Sequence, residues 1–296
     1  MRPSRGATRE CCALCLQKRE LRLSHIIPEF FYKALALYGE KHRFYAYSTV
    51  SDEPVSRPQQ KGFREYLLCG ECEGRLNRWE TYARKVIFGG VALDCAMDPK
   101  GNSLADGVDY ATFKLFSMSM LWRMSVSSRE EFARVELGVH AETMRERLFA
   151  NEPGMHWDYG FTILYPPDAD AEEILSRTMV QPERLRFKSH LFYRLSLGMT
   201  FWLFPVSGEM AKLEADGWHF SLSENGPLIF YNGGSPPVEY TYRLAAELSK
   251  AESARKKRDE WSAQEIRMEV VIPLVVLLGI YWLTWRHEYR NSEPEF

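Results

Sequence analysis

Cys12-Ala13-Leu14-Cys15, Leu21-Arg22-Leu23-Ser24-His25-Ile26-Ile27-Pro28 and Cys69-Gly70-Glu71-Cys72 are the strings on which the reading of this 296-residue chain turns. Each C-x-x-C pair has the spacing of a knuckle that presents two thiolates to one tetrahedral zinc ion. Together the pairs form a closed four-sulfur shell, which leaves no open coordination position for chemistry, so the zinc expected on Cys12, Cys15, Cys69 and Cys72 is structural. The bland alternative is buried, unligated cysteine, against which stands the rarity of two matched pairs. What the ion holds in place is the question, and His25, lying between the pairs, is the candidate.

Working outward, Leu21–Ile27 alternates and then runs apolar, as a short strand or hairpin arm does, and Pro28 ends it. Phe30, Phe31, Tyr32, Ala34, Leu35 and Leu37 have the spacing of a short helix over Glu29–Tyr38. Residues 48–61 are polar and broken by proline, the composition of a loop. Tyr66-Leu67-Leu68 leads into the second knuckle, and a helix is expected from Glu73 to about Phe88. Residues 1–90 therefore read as one zinc-binding module.

Gly89-Gly90 marks a change of character. Residues 108–125 are apolar nearly all round, the pattern of a helix at the centre of a fold. Ser128 followed by Glu131 has the spacing of a capping box, which predicts a helix from Ser128 to about Phe149. Beyond Pro153-Gly154 the pattern turns to strands, at Gly160–Tyr165, Leu185–Phe187, His190–Phe204, Trp218–Leu222 and Pro227–Tyr231. The fold class is α+β, with residues 91–238 forming a mixed domain around a mainly antiparallel sheet.

Residues 239–296 form the third segment, a charged helix over about Tyr240–Arg267 followed by an apolar stretch. Val270–Trp285 holds sixteen residues without a charge. At about 1.5 Å per residue such a helix reaches about 24 Å, against about 30 Å for the hydrocarbon of a bilayer. Tyr281, Trp282 and Trp285 followed by Arg286 resemble an interfacial belt, while the length, Pro273 and the β-branched run favour a buried element. A membrane partner through residues 270–285 stays open beside a core reading.

Composition is that of a globular protein, 45% apolar and 26% charged, which excludes disorder as the default. Six cysteines, four of them in the paired motif, fit a reducing compartment better than a disulfide framework. Met1–Glu10 has no apolar run of the kind a secretory signal needs, so the expectation is a cytoplasmic protein. Residues 1–80 carry 14 basic against 10 acidic side chains, and the remainder 24 against 30. That imbalance permits phosphate contacts without requiring them. Nothing in the pattern sets an oligomeric state.

The order knuckle, strand bearing Ser-His-Ile-Ile-Pro, second knuckle, helix resembles the zinc-stabilised members of the HNH endonuclease superfamily, over residues 10–88. The resemblance implies a treble-clef finger around a ββα-metal site, with His25 as the general base for phosphodiester hydrolysis. It implies a metal-binding residue on the helix, where Glu73, Asn77 and Glu80 fall at spacings of four and three on one face. Asn77 then joins His25 as a catalytic candidate, and Glu73 and Glu80 become oxygen ligands for Mg²⁺ or Mn²⁺. DNA or RNA is the implied partner, in the defence or mobile-element settings where such modules occur.

Three departures from the family pattern are visible, the first being that the helix after the second knuckle carries no histidine. Ser24 stands where that family carries Asp, and a hydroxyl is a poorer ligand for a hard cation than a carboxylate. The 53 residues between Cys15 and Cys69 exceed the usual separation, so an insertion is expected between hairpin and helix. A second reading follows, in which the chain is a catalytically silent, zinc-stabilised scaffold for nucleic acid or protein, tethered to a membrane or not. Solvated helix face is the ordinary alternative for Glu73, Asn77 and Glu80, and core packing for Trp79 and Trp122.

Overall fold

The computed structural model describes residues 9–34, 43–47, 56–60, 62–165, 182–187, 190–197, 200–206, 210–215 and 218–232. The expected helix over 240–267 and the apolar stretch 270–285 lie outside them. Among the described residues, no helix is long and apolar enough to cross a membrane.

After the first knuckle comes β1 (Leu21–His25), then α1 (Glu29–Ala34), β2 (Arg43–Tyr47), β3 (Ser56–Gln60), β4 (Arg64–Cys69) and α2 (Gly70–Phe88). β1 pairs antiparallel with β4, Leu21 opposite Cys69 and His25 opposite Arg64, with a bulge between Arg22 and Leu23. The long insertion therefore falls between the two strands of the hairpin, as α1 and the β2–β3 pair, and not between hairpin and helix. β4 runs straight into α2, whose N-cap is Cys69. The polar stretch 48–61 contains β3, paired with β2 so that Pro58 faces Tyr45. Two strands alone leave outer edges unpaired, and an outer edge tolerates a proline.

The second region comprises β5 (Asp94–Met97), β6 (Ser103–Asp106), α3 (Tyr110–Val126), α4 (Val139–Ala150), β7 (Thr162–Tyr165), β8 (Glu183–Phe187), β9 (His190–Leu197), β10 (Thr200–Pro205), α5 (Met210–Ala215) and β11 (Leu228–Asn232). Seven strands form one sheet in the order β5-β6-β11-β7-β10-β9-β8, antiparallel except where β11 runs parallel to β7. The stretch expected as one strand from His190 to Phe204 is the β9–β10 hairpin. Trp218–Leu222 is irregular backbone tied to the sheet, Ser221 N–H donating to Phe161 O at 2.8 Å.

No helix forms over 128–138 as the capping pattern implied. The Ser128 hydroxyl donates to Glu65 Oε1 at 3.0 Å, and Arg129 holds the Glu131 carboxylate at 2.8 Å, so neither member of the capping box is free to cap. A short 3-10 turn at Glu130–Phe132 stands there instead, and α4 starts after Gly138, whose φ of 55° lies outside the helical region.

α3 is the axis of the core. Every residue from Phe113 to Ser125 is buried, which accounts for its apolar circumference. Trp202 of β10 stacks on Phe161 at 5.4 Å and on Phe113 at 6.4 Å, while Phe31 of α1 meets Trp202 edge-on at 6.2 Å. The knuckle region and the large sheet thus share a hydrophobic core, which runs from Cys12 to Leu228. Replacing Trp202 by Ala removes its keystone, a change of the kind that costs about 3–5 kcal/mol.

Candidate metal centre and the polar site beside it

The first knuckle is a tight turn. Leu16 N–H closes it on Cys12 O at 2.9 Å, and Leu16 takes a positive φ of 61°. Ala13 N–H donates to Leu67 O at 3.0 Å and Cys69 N–H donates to Cys12 Sγ at 3.3 Å, so the knuckle docks on β4 through backbone. The Sγ atoms of Cys12, Cys15, Cys69 and Cys72 all lie within 4.8 Å of one another. Sulfurs about 2.3 Å from one tetrahedral ion stand about 3.8 Å apart, and Cys15 Sγ is 3.9 Å from Cys69 Sγ. The donor set fits a metal ion such as zinc.

Protonation reflects the burial and crowding of the four sulfurs. Burial pushes the Cys12 thiol up, and burial, reinforced by the charge of Cys12, pushes Cys72 further up. Burial raises Cys69 as well, but hydrogen bonds from the Cys72 backbone and the neighbouring thiols outweigh it and bring it down to about 7. Four thiolates this close repel one another unless a cation sits between them, and a helix N-terminus beneath Cys69 and Cys72 adds partial positive charge.

His25 ends β1, half-buried, at the corner where Ile26 and Ile27 drop into the core with exposures of 0% and 1%. Ile26 N–H donates to Phe63 O at 2.9 Å and fixes the corner. Ser24 is sealed, and its Oγ donates to Glu73 Oε2 at 2.5 Å. Glu80, two turns further along α2, is held by Arg123 of α3, Nη1 to Oε1 at 2.6 Å. The same Nη1 donates to the backbone carbonyl of His25 at 2.7 Å. Burial raises the Glu80 carboxyl, and the Arg123 charge opposes that rise. Asn77, between the two carboxylates in sequence, is exposed. Of the sequence candidates, Ser24 touches Glu73 directly, and Arg123 joins Glu80 to the His25 backbone.

Arg123 escaped the sequence reading because it sits in an apolar helix, where a lone basic residue is the available signal. A second buried cation on that helix, Lys114, was missed in the same way. Its Nζ donates to Asp158 O at 2.7 Å and to Met155 O at 3.0 Å. Beside it, His156 is gripped by Glu224 at Nδ1, 2.7 Å, and by Glu214 at Nε2, 2.6 Å. Arg147 reaches Asp158 at 3.2 Å.

The chain matches no protein-family model, no curated protein and no solved structure.

Proposed function

We propose that residues 10–88 form an HNH-like treble-clef nuclease module, in which zinc is structural and His25 is the general base for hydrolysis of a DNA or RNA phosphodiester. The observation that carries the reading is the contact between Ser24 and Glu73. In the family that the module resembles, a carboxylate precedes the base on the strand; here a serine does, and its hydroxyl holds the carboxylate of Glu73 at 2.5 Å. The negative charge missing from β1 is thereby supplied from α2, through the residue that precedes the base.

In this reading His25 takes a proton from water, the water oxygen bonds to phosphorus, and the P–O bond to the leaving oxygen breaks, that oxygen collecting a proton from solvent. Mg²⁺ or Mn²⁺ supplies neutralisation of the charge that develops on phosphate. Glu73 offers an oxygen not engaged by Ser24, and Asn77, one turn on, offers an amide oxygen. A neutral hydroxyl orients the carboxylate without cancelling its charge, the role partners of ligands commonly play.

The test is nicking of plasmid and of RNA by the full chain with Mg²⁺ or Mn²⁺. His25→Ala is expected to abolish nicking while zinc content stays at one ion per chain. Equal nicking by that variant, or none by the parent chain, ends the nuclease reading.

A second reading is a silent zinc-stabilised scaffold that binds nucleic acid or protein. It is favoured by the occupation of both carboxylates, Glu73 by Ser24 and Glu80 by Arg123. Binding of nucleic acid without cleavage, unchanged in His25→Ala, is its expected signature.

A further inference from the structure

The nuclease reading leaves three side chains on one face of α2 competing for the divalent cation, and the packing of α3 against that face separates them. Arg123 lies outside the 1–90 module and is 2% exposed. Its Nη1 contacts Glu80 Oε1 and the His25 carbonyl, its Nε donates to Ser119 O at 3.3 Å, and its Nη2 is buried with no hydrogen-bond partner among the described residues. One nitrogen thus joins α2 to the end of β1.

The two carboxylates differ in what their partners do to their charge. Glu80 faces a guanidinium, which keeps its positive charge at any working pH, so the pair is neutral and a divalent ion at Glu80 would stand beside a fixed cation. Glu73 faces a hydroxyl, which leaves its charge whole. A hard cation needs oxygen donors with net negative charge.

We propose that Arg123 is a positioning residue that withdraws Glu80 from the ligands of the cation and clamps the backbone at His25, leaving Glu73 as the carboxylate that binds Mg²⁺ or Mn²⁺. This rests on the nuclease reading for its purpose, not for its test.

The experiment is titration of the zinc-loaded full chain with Mn²⁺, free ion being followed by electron paramagnetic resonance. Glu73→Gln is expected to weaken binding at least tenfold, and Glu80→Gln to leave it within twofold. Arg123→Gln frees Glu80 and is expected to tighten Mn²⁺ binding, a gain that Arg123→Gln combined with Glu80→Gln reverses; a merely structural arginine produces no such gain. Should Arg123→Gln fail to fold, the comparison of the two glutamate variants decides alone. Equal weakening by both glutamate variants, loss in Glu80→Gln only, or no binding by the parent chain overturns the proposal. Mn²⁺ held by Glu73 without any nicking would sink the nuclease reading and leave this assignment standing. Nicking that needs Glu80 and not Glu73 would do the reverse.

Discussion

Arg123 and Lys114 sit on one helix, both sealed from water, at 2% and 0% exposure, and they solve burial differently. Arg123 is met by a carboxylate, Glu80 lying 2.6 Å away. Lys114 is met by two backbone carbonyls, and burial brings its amine down to about 7, with the charge of Asp158 opposing the drop. A neutral amine has two N–H groups to match two carbonyls. The hairpin end of α3 therefore holds a buried cation paired with a carboxylate, whereas at the Lys114 end the buried amine is met by carbonyls and the groups around it pair among themselves, Arg147 with Asp158 and His156 with Glu214 and Glu224.

Metal removal should separate the two ends most sharply. Chelation of the zinc, or Cys72→Ala, removes an ion whose binding free energy in small zinc domains is of order 10 kcal/mol. Amides of β1 and β4 are expected to lose hydrogen-exchange protection while those of β9 and β10 keep theirs, since β9 and β10 are held by their own ladder inside the seven-stranded sheet and β1 pairs only with the strand that carries Cys69. Uniform loss across both regions would mean that the two ends of α3 fold as one unit.

Arg123→Met comes next. It leaves Glu80, with 18% of its side chain exposed, as a largely buried carboxylate without its cation. Breaking one side of a buried pair costs about 3–5 kcal/mol. Glu80→Gln in the same background is expected to recover much of that loss in urea midpoints, because the stranded charge goes with it. Failure to recover would show that the contact with the His25 carbonyl, not the ion pair, is what the arginine contributes.

Lys114→Met tests the other end, and pH reveals it. The unfolded lysine titrates at about 10.4, whereas the folded one has been brought down to about 7. Between those values the unfolded chain holds the proton and the folded chain does not, so this group makes stability rise as pH rises, and below about 7 its full cost is present. Urea midpoints of the parent chain relative to Lys114→Met should therefore shift in favour of the parent from neutral to alkaline pH. A flat difference would mean that the lysine stays charged in its carbonyl cradle.

Legibility in the sequence follows the range of the forces involved. The C-x-x-C pairs were readable because a thiolate knuckle is a local motif, and the α3 helix because its apolar circumference is local too. The capping box at Ser128 misled because its hydroxyl had a better partner, Glu65, which lies 63 residues away in sequence. β5 and β6 were missed: Cys95 and Met97 stand exposed on an edge strand, which shows no alternation for a pattern to catch. At the site, Ser24 looked like a lost ligand. That it holds Glu73 depends on the register of β1 against β4 and on α2 starting inside the second knuckle, neither of which spacing alone determines.

The smallest expected effect probes the rim of the Lys114 end. Glu224 serves His156 twice, its Oε1 accepting from the backbone N–H at 2.7 Å and its Oε2 bonding Nδ1 at 2.7 Å. Burial raises the Glu224 carboxyl, but hydrogen bonds from its own backbone N–H and from His156 prevail and hold it below the usual range. Its contribution is therefore present above the ordinary carboxylate range and is lost as pH falls through its lowered value. Glu214 meets Nε2 from the short helix α5 and is 41% exposed. Glu214→Gln should cost less than about 1 kcal/mol, as exposed pairs do. Glu224→Gln should cost more and flatten the acid limb of the stability profile. If the exposed partner proved the costlier of the two, the histidine would be held from the α5 side, and this end of α3 would not be the self-contained structure that its contrast with Arg123 requires.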